Sequence, residues 1–141
     1  MTKKIEKKKV IFLCTGNSAR SQIAEGSLRN LGADRFEIHS AGLQAVGVHP
    51  LAVEVMKEAG IDISAQTSKT IDFRLLSSMD MVITLCGHAE AFCPVTPPGV
   101  NRLHWPITDP AGVVGTTEEC LSAFRKARQE IQEKIEMYLL P

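Results

Sequence analysis

Apolar and polar positions change their period several times along the chain. Residues 10–14 are continuously apolar, the pattern of a short strand buried on both faces. Over 21–31, Ile23, Ala24, Leu28 and Leu31 fall near helical spacing, and Gly32 marks the end. Residues 36–40 alternate as a second strand, and Ala41-Gly42 reads as a turn. Pro50 suits the first turn of a helix. That helix continues over 51–59, with Leu51, Val55, Met56 and Ala59 on one side, until Gly60 stops it. Residues 61–64 are irregular or briefly extended, and Asp72 suits the cap of a short helix through Leu76. Residues 79–86 hold a third strand, again an apolar run that ends at a cysteine. No period is clear over 87–100, which contains Pro94, Pro97, Pro98 and Gly99. Residues 101–105 read as a fourth short strand and 107–115 as loop. Thr116 or Thr117 caps a final helix, with Glu118 and Glu119 favourably placed in its first turn. Its apolar positions Leu121, Phe124, Ile131, Ile135 and Tyr138 lie near one stripe.

The order β-α-β-α-α-β-β-α predicts a three-layer α/β sandwich, with a four-stranded parallel sheet and helices on both faces. One domain is expected over residues 1–141, with a basic tail over 1–8. Ligands in such folds bind beyond the carboxyl ends of the strands, and Cys14 and Cys86 both stand at such ends.

Composition narrows the function classes. The chain is 44% hydrophobic and 23% charged with zero formal net charge, so neither nucleic acid nor an anionic membrane is indicated as partner. Lys3, Lys4, Lys7, Lys8 and Lys9 read as a solvated tail. The apolar run after them is too short for a secretory signal and turns polar at Thr15. No run approaches transmembrane length. A cytoplasmic protein is expected. Its four cysteines, Cys14, Cys86, Cys93 and Cys120, then suggest catalytic or redox use before a structural disulfide framework. No Cys-x-x-Cys or clustered zinc spacing occurs, and no metal site is expected.

The chemistry concentrates at Cys14-Thr15-Gly16-Asn17-Ser18-Ala19-Arg20-Ser21. A strand, a tight loop and a helix in that order aim backbone N–H groups and a helix N-terminus at one spot, which attracts anions. Gly16 and Asn17 tolerate the positive φ that lets amides converge. Those donors and Arg20 favour a thiolate at Cys14, and Arg20 can grip an oxyanion with two parallel hydrogen bonds. Cys86 and Cys93 are seven positions apart, which is no metal spacing; by themselves they fit either unrelated core cysteines or a redox pair. If 87–93 is helical, the two lie about 10 Å apart along the axis, too far for a disulfide, whose Cα atoms stand about 5.5–6 Å apart. Asp109, before Pro110, fits a turn aspartate as readily as an acid that protonates a leaving oxygen. Cys120 reads as core packing, and His104 and Trp105 as structural.

These residues, with Ser40-Ala41-Gly42, Gly60-Ile61-Asp62-Ile63-Ser64, Val82-x-Thr84-Leu85-Cys86, Cys93-Pro94, Pro97-Pro98, His104-Trp105 and Asp109-Pro110, run in an order that resembles the thioredoxin-coupled arsenate reductases, which share the low-molecular-weight tyrosine phosphatase fold. The resemblance covers nearly the whole chain. The loop alone fits both groups; the Cys86/Cys93 pair favours the reductases. It implies that Cys14 attacks arsenate in a cradle of Thr15, Gly16, Asn17, Ser18, Ala19, Arg20 and Ser21, and that Asp109 protonates the departing oxygen. Cys86 then attacks Cys14, Cys93 attacks Cys86, and thioredoxin reduces the resulting disulfide. Phosphate and sulfate would mimic the substrate, no cofactor would stay bound, and a monomer is expected. Ala19 replaces a cysteine usual in relatives but outside the relay, so activity should survive. Some relatives hold potassium on residues that match Asn17, Glu25, Ser40, Thr67 and an acid; Lys69 stands at the acid's place and argues against the ion. The alternatives are a tyrosine phosphatase, disfavoured by Ala111 where an aromatic residue usually follows Asp-Pro, and an oxyanion-binding redox regulator without turnover.

Overall fold

The computed structural model describes residues 6–93 and 96–140. The basic residues Lys3 and Lys4, and Pro94, lie outside the described residues. Among the described residues, four strands form one parallel sheet: β1 (Lys8–Cys14), β2 (Phe36–Gly42), β3 (Met81–Thr84) and β4 (Asn101–His104), in the order β2-β1-β3-β4. Among the described residues, five helices accompany them: α1 (Arg20–Gly32), α2 (Pro50–Glu58), α3 (Phe73–Ser77), α4 (Gly87–Phe92) and α5 (Thr117–Tyr138).

Side-chain alternation along β1 divides the core into two layers. Val10 and Phe12 join Ile23 and Leu28 of α1, Val55 and Met56 of α2 and Phe124 and Ile131 of α5. Ile11 and Leu13 join Leu76 of α3 and Ala89 of α4 on the other face. The molecule is therefore the three-layer sandwich that the element order predicts. Each fully buried aliphatic or aromatic side chain contributes about 1.5–3 kcal/mol on transfer from water, and both faces of β1 are fully buried from Val10 to Leu13.

Several boundaries differ from the sequence pattern. Strand pairing begins at Lys8, opposite Phe36, inside the stretch read as tail. β2 continues through Ala41 and Gly42, because Gly42 still pairs with Cys14. β3 is shorter than 79–86: Cys86 has left the sheet to cap α4. Trp105 lies beyond β4, although its N–H still donates to Thr84 O at 2.8 Å. Thr116, rather than Thr117, caps α5, in a capping box with Glu119. Tyr138 does not belong to the α5 stripe. It is half exposed and tilts over Trp105 at 5.9 Å, while Ala127 and Leu139 fill the core. Cys120 is likewise not core. It sits in the first turn of α5, where the helix meets the preceding loop, and its partly exposed thiol donates to Val113 O at 3.6 Å.

Candidate active site

β1 ends at Cys14 and α1 begins at Arg20, so five residues make the loop between them. Asn17 adopts φ 46°, a left-handed conformation that Asn tolerates better than most residues. The carbonyl oxygens of Cys14, Thr15, Gly16 and Ser18 accept from the N–H groups of Leu43, Gln44, Val46 and His49. Oxygens that would repel an anion are thereby engaged outside the loop. Ser68 Oγ adds a bond to Gly16 O at 3.2 Å.

Behind the loop, the fully buried Asn17 side chain organises its neighbours. Its Nδ2 donates to Ser21 Oγ at 2.8 Å and to Ser40 Oγ at 2.9 Å, and its Oδ1 accepts from Lys69 N at 2.7 Å. Ser40 Oγ passes its own hydrogen to Glu25 Oε1 at 2.5 Å. Because Ser21 Oγ accepts from Asn17, its hydrogen is free to point at Cys14 Sγ, 2.8 Å away.

Glu25 is buried and shared by two cations: Arg29 Nη2 at 2.8 Å and Lys69 Nζ at 3.9 Å. The Lys69 ammonium also donates to Thr67 O. The Lys69 ammonium thus puts a positive charge beside Asn17, Glu25, Ser40 and Thr67, the residues that match a potassium site in some relatives.

Cys14, Thr15, Gly16, Ser18, Ala19 and Arg20 line a cleft of about 340 Å³, walled by Gln44, Val46, His49, Asp109 and Ala111. A second cleft of about 540 Å³ shares Thr15, Arg20 and Asp109 and continues to Cys86, Gly87 and His88. Arg20 stretches between the two, with Nη1 donating to Ile107 O at 2.9 Å and Nη2 standing 3.9 Å from Asp109 Oδ2. Asp109 is half exposed, and its Oδ1 accepts from Ala111 N at 3.0 Å, which caps the 3-10 turn Pro110–Gly112. It is both the turn residue and a carboxyl beside the cradle.

The structure brings Cys86 to the cradle. Its sulfur lies 3.2 Å from Thr15 Oγ1 and accepts from Ala89 N at 3.3 Å. Cys93 is set apart at the other end of α4, a buried free thiol in the same apolar cluster. Burial pushes the Cys93 thiol up from its ordinary value, and the nearby Arg102 guanidinium opposes that shift. The wall residues Gln44, Val46 and His49 were not indicated by periodicity or motif. His49 alone left a signal, as the residue before Pro50: it caps α2, with Nδ1 accepting from Leu51 N at 3.1 Å.

Among the described residues, no helix is long and apolar enough to cross a membrane. Residues 9–140 match the family described as low molecular weight phosphotyrosine protein phosphatase. The chain is similar to an arsenate reductase of Halalkalibacterium halodurans, with 52% identity over 95% of this chain and 96% of that one. Its structure is similar to that of an arsenate reductase in the phosphate binding state, with TM-score 0.77 and 39% identity over 94% of this chain and 97% of that one. It is also similar to a Corynebacterium glutamicum thioredoxin-dependent arsenate reductase, with TM-score 0.68 and 30% identity over 93% of this chain and 63% of that one.

Proposed function

Because the chain belongs to the low molecular weight phosphotyrosine protein phosphatase family and is 52% identical over 95% of its length to an arsenate reductase, we propose that it reduces arsenate to arsenite. Three thiols, Cys14, Cys86 and Cys93, carry the electrons in this reading, and reduced thioredoxin restores them. The observation that carries it is the second sulfur at the cradle, Cys86, hydrogen-bonded to Thr15 beside Cys14. A hydrolase of this fold needs Cys14, Arg20 and Asp109 and has no use for a thiol there.

Arsenate, or phosphate and sulfate as mimics, sits among the N–H groups of residues 15–21 with the Arg20 guanidinium against its oxygens. The Cys14 thiolate attacks arsenic, and Asp109 gives a proton to the oxygen that leaves as water. The Cys86 thiolate then attacks Cys14 Sγ. The sulfur–arsenic bond breaks, its electron pair stays on arsenic, and arsenite departs. Arsenic(V) has become arsenic(III), and two thiols have become the Cys14–Cys86 disulfide. Cys93 attacks Cys86 and frees Cys14 as thiolate, and the dithiol of thioredoxin reduces the Cys86–Cys93 bond. Every electron moves through sulfur, so the reaction needs no bound flavin or nicotinamide.

The test is arsenate-dependent NADPH consumption coupled through thioredoxin and thioredoxin reductase. The wild-type chain is expected to turn over, and Cys93→Ser to stop after one turnover, with a Cys14–Cys86 disulfide found by peptide mass. Turnover that survives Cys93→Ser, or hydrolysis of an aryl phosphate without arsenate reduction, overturns the relay; the latter favours the phosphatase reading.

A further inference from the structure

Cys86 caps the start of α4, and Cys93 follows its last residue. Seven steps of helical rise separate them by about 10 Å along the axis, whereas the Cα atoms of a disulfide stand roughly 4.4–6.8 Å apart. A helical α4 and a Cys86–Cys93 bond therefore exclude each other. Whatever holds α4 sets how readily that bond forms.

Local propensity does not hold it, since helices shorter than about 12 residues are marginal in water. Apolar packing holds it weakly: Ala89 is the one buried residue of α4, and Phe92 is 71% exposed. The remaining hold is polar and centres on Glu90. Its Oε2 accepts from Thr84 Oγ1 of β3 at 2.5 Å and from Arg102 Nη2 of β4 at 3.5 Å. The same Arg102 nitrogen donates to the backbone oxygen of Glu90 at 2.9 Å. His104 Nδ1 stands 2.9 Å from Thr84 Oγ1 and 3.9 Å from the carboxylate. One carboxylate thus ties the middle of α4 to two strands.

We propose that Glu90, anchored by Thr84 and Arg102, is a latch that keeps α4 helical and Cys86 and Cys93 apart in the reduced protein. The proposal rests on the three-thiol relay and adds residues that no sulfur step uses. Glu90 is a positioning residue: it acts on the sulfurs through the helix that carries them. When the Cys93 thiolate attacks Cys86 Sγ, the bond to Cys14 breaks and its electron pair leaves on Cys14. The exchange needs no outside oxidant, but it does need the latch to open. The latch stabilises the dithiol state alone, so its loss favours the disulfide.

The test removes the latch without touching a sulfur. Arg102 and the Glu90 charge both act on the Cys93 thiol, so the near-isosteric Thr84→Val, which leaves both charges in place, is the deciding variant and Glu90→Ala its companion, singly and together. In a Cys14→Ser background, the Cys86/Cys93 couple is equilibrated with dithiothreitol at graded dithiol-to-disulfide ratios and read by alkylation and peptide mass. Each variant is expected to shift the equilibrium about tenfold toward the disulfide, a potential more negative by about 30 mV. The double variant is expected to add little, because the two residues form one contact. Amide exchange over 87–93 in the reduced protein is expected to speed up in both variants. An unmoved potential and unmoved exchange overturn the latch while leaving the relay standing. A Cys14→Ser parent that forms no Cys86–Cys93 bond at any ratio overturns the relay and, with it, the function given to the latch.

Discussion

A methyl group at position 42 would sit 2.6 Å from Asn17 N, 2.7 Å from Gln44 O and 2.8 Å from Thr15 O. All three are backbone atoms of the cradle or of the segment that braces it, so no side chain can swing away. Gly42→Ala must displace the loop, at a cost of about 1–3 kcal/mol for overpacking. Phosphate affinity, followed by calorimetry, is expected to fall about tenfold or more, since ~1.4 kcal/mol of lost geometry is a factor of ten; unchanged affinity would mean that the loop does not need this close approach. Sequence pattern predicted a turn at this glycine but not its contact with Asn17, which stands 25 positions earlier. The same holds for the Ser21 hydroxyl beside Cys14 and the Thr15 hydroxyl beside Cys86. That Cys14, Arg20 and Asp109 line one cleft was expected from residue type and local order. The hydroxyls beside Cys14 and Cys86 carry no such signature.

At the scale of elements, the long strands and helices were legible and the two irregular braces were not. α4 is six residues long, shorter than the 11–18 residue window in which helical periodicity stands out, and its cap is a cysteine instead of Ser, Thr, Asp or Asn. The segment 66–69 has no period at all, yet it braces the cradle. Gln66 Nε2 donates to Gln22 Oε1 at 2.8 Å, Ser68 bonds Gly16 O, and Lys69 N bonds Asn17. This strap also delivers the Lys69 ammonium to Thr67 O and Glu25. A tethered cation there makes a soluble one redundant. Arsenate reduction is expected to run at equal rates in potassium and sodium salts of matched ionic strength. A rate that climbs with added potassium would show that Lys69 leaves the pocket and that the strap does not supply its charge.

Across the whole molecule, strand order makes the site. Placing β3 beside β1, with Leu13 opposite Thr84, brings Cys14 and Cys86 to the same edge of the sheet although 72 positions separate them. Parallel pairing was legible from alternating strands and helices; the order β2-β1-β3-β4 is a non-local property that no local pattern encodes. The opposite layer is tied by charge as well as by its core. Arg125 of α5 donates through Nε and Nη2 to Glu58 of α2 at 2.9 and 2.8 Å and through Nη1 to Glu118 at 2.6 Å. The Arg125 hydrogen bonds hold the Glu58 carboxyl below its ordinary value, and the carboxylates hold Arg125 above its own. A carboxyl whose value is lowered by folding stabilises the fold at all pH above its unfolded value, and this contribution is lost as pH falls through the folded value. Arg125→Ala is therefore expected to melt below wild type at neutral pH, with the lone Trp105, buried between Phe12 and Tyr138, as the fluorescent reporter. The gap is expected to narrow with added salt and to close in acid, where protonated Glu58 no longer distinguishes the two proteins. A gap of constant size from neutral pH to acid would assign the role of Arg125 to the packing of its aliphatic stem and remove the charge from the account of how α2 and α5 stay joined.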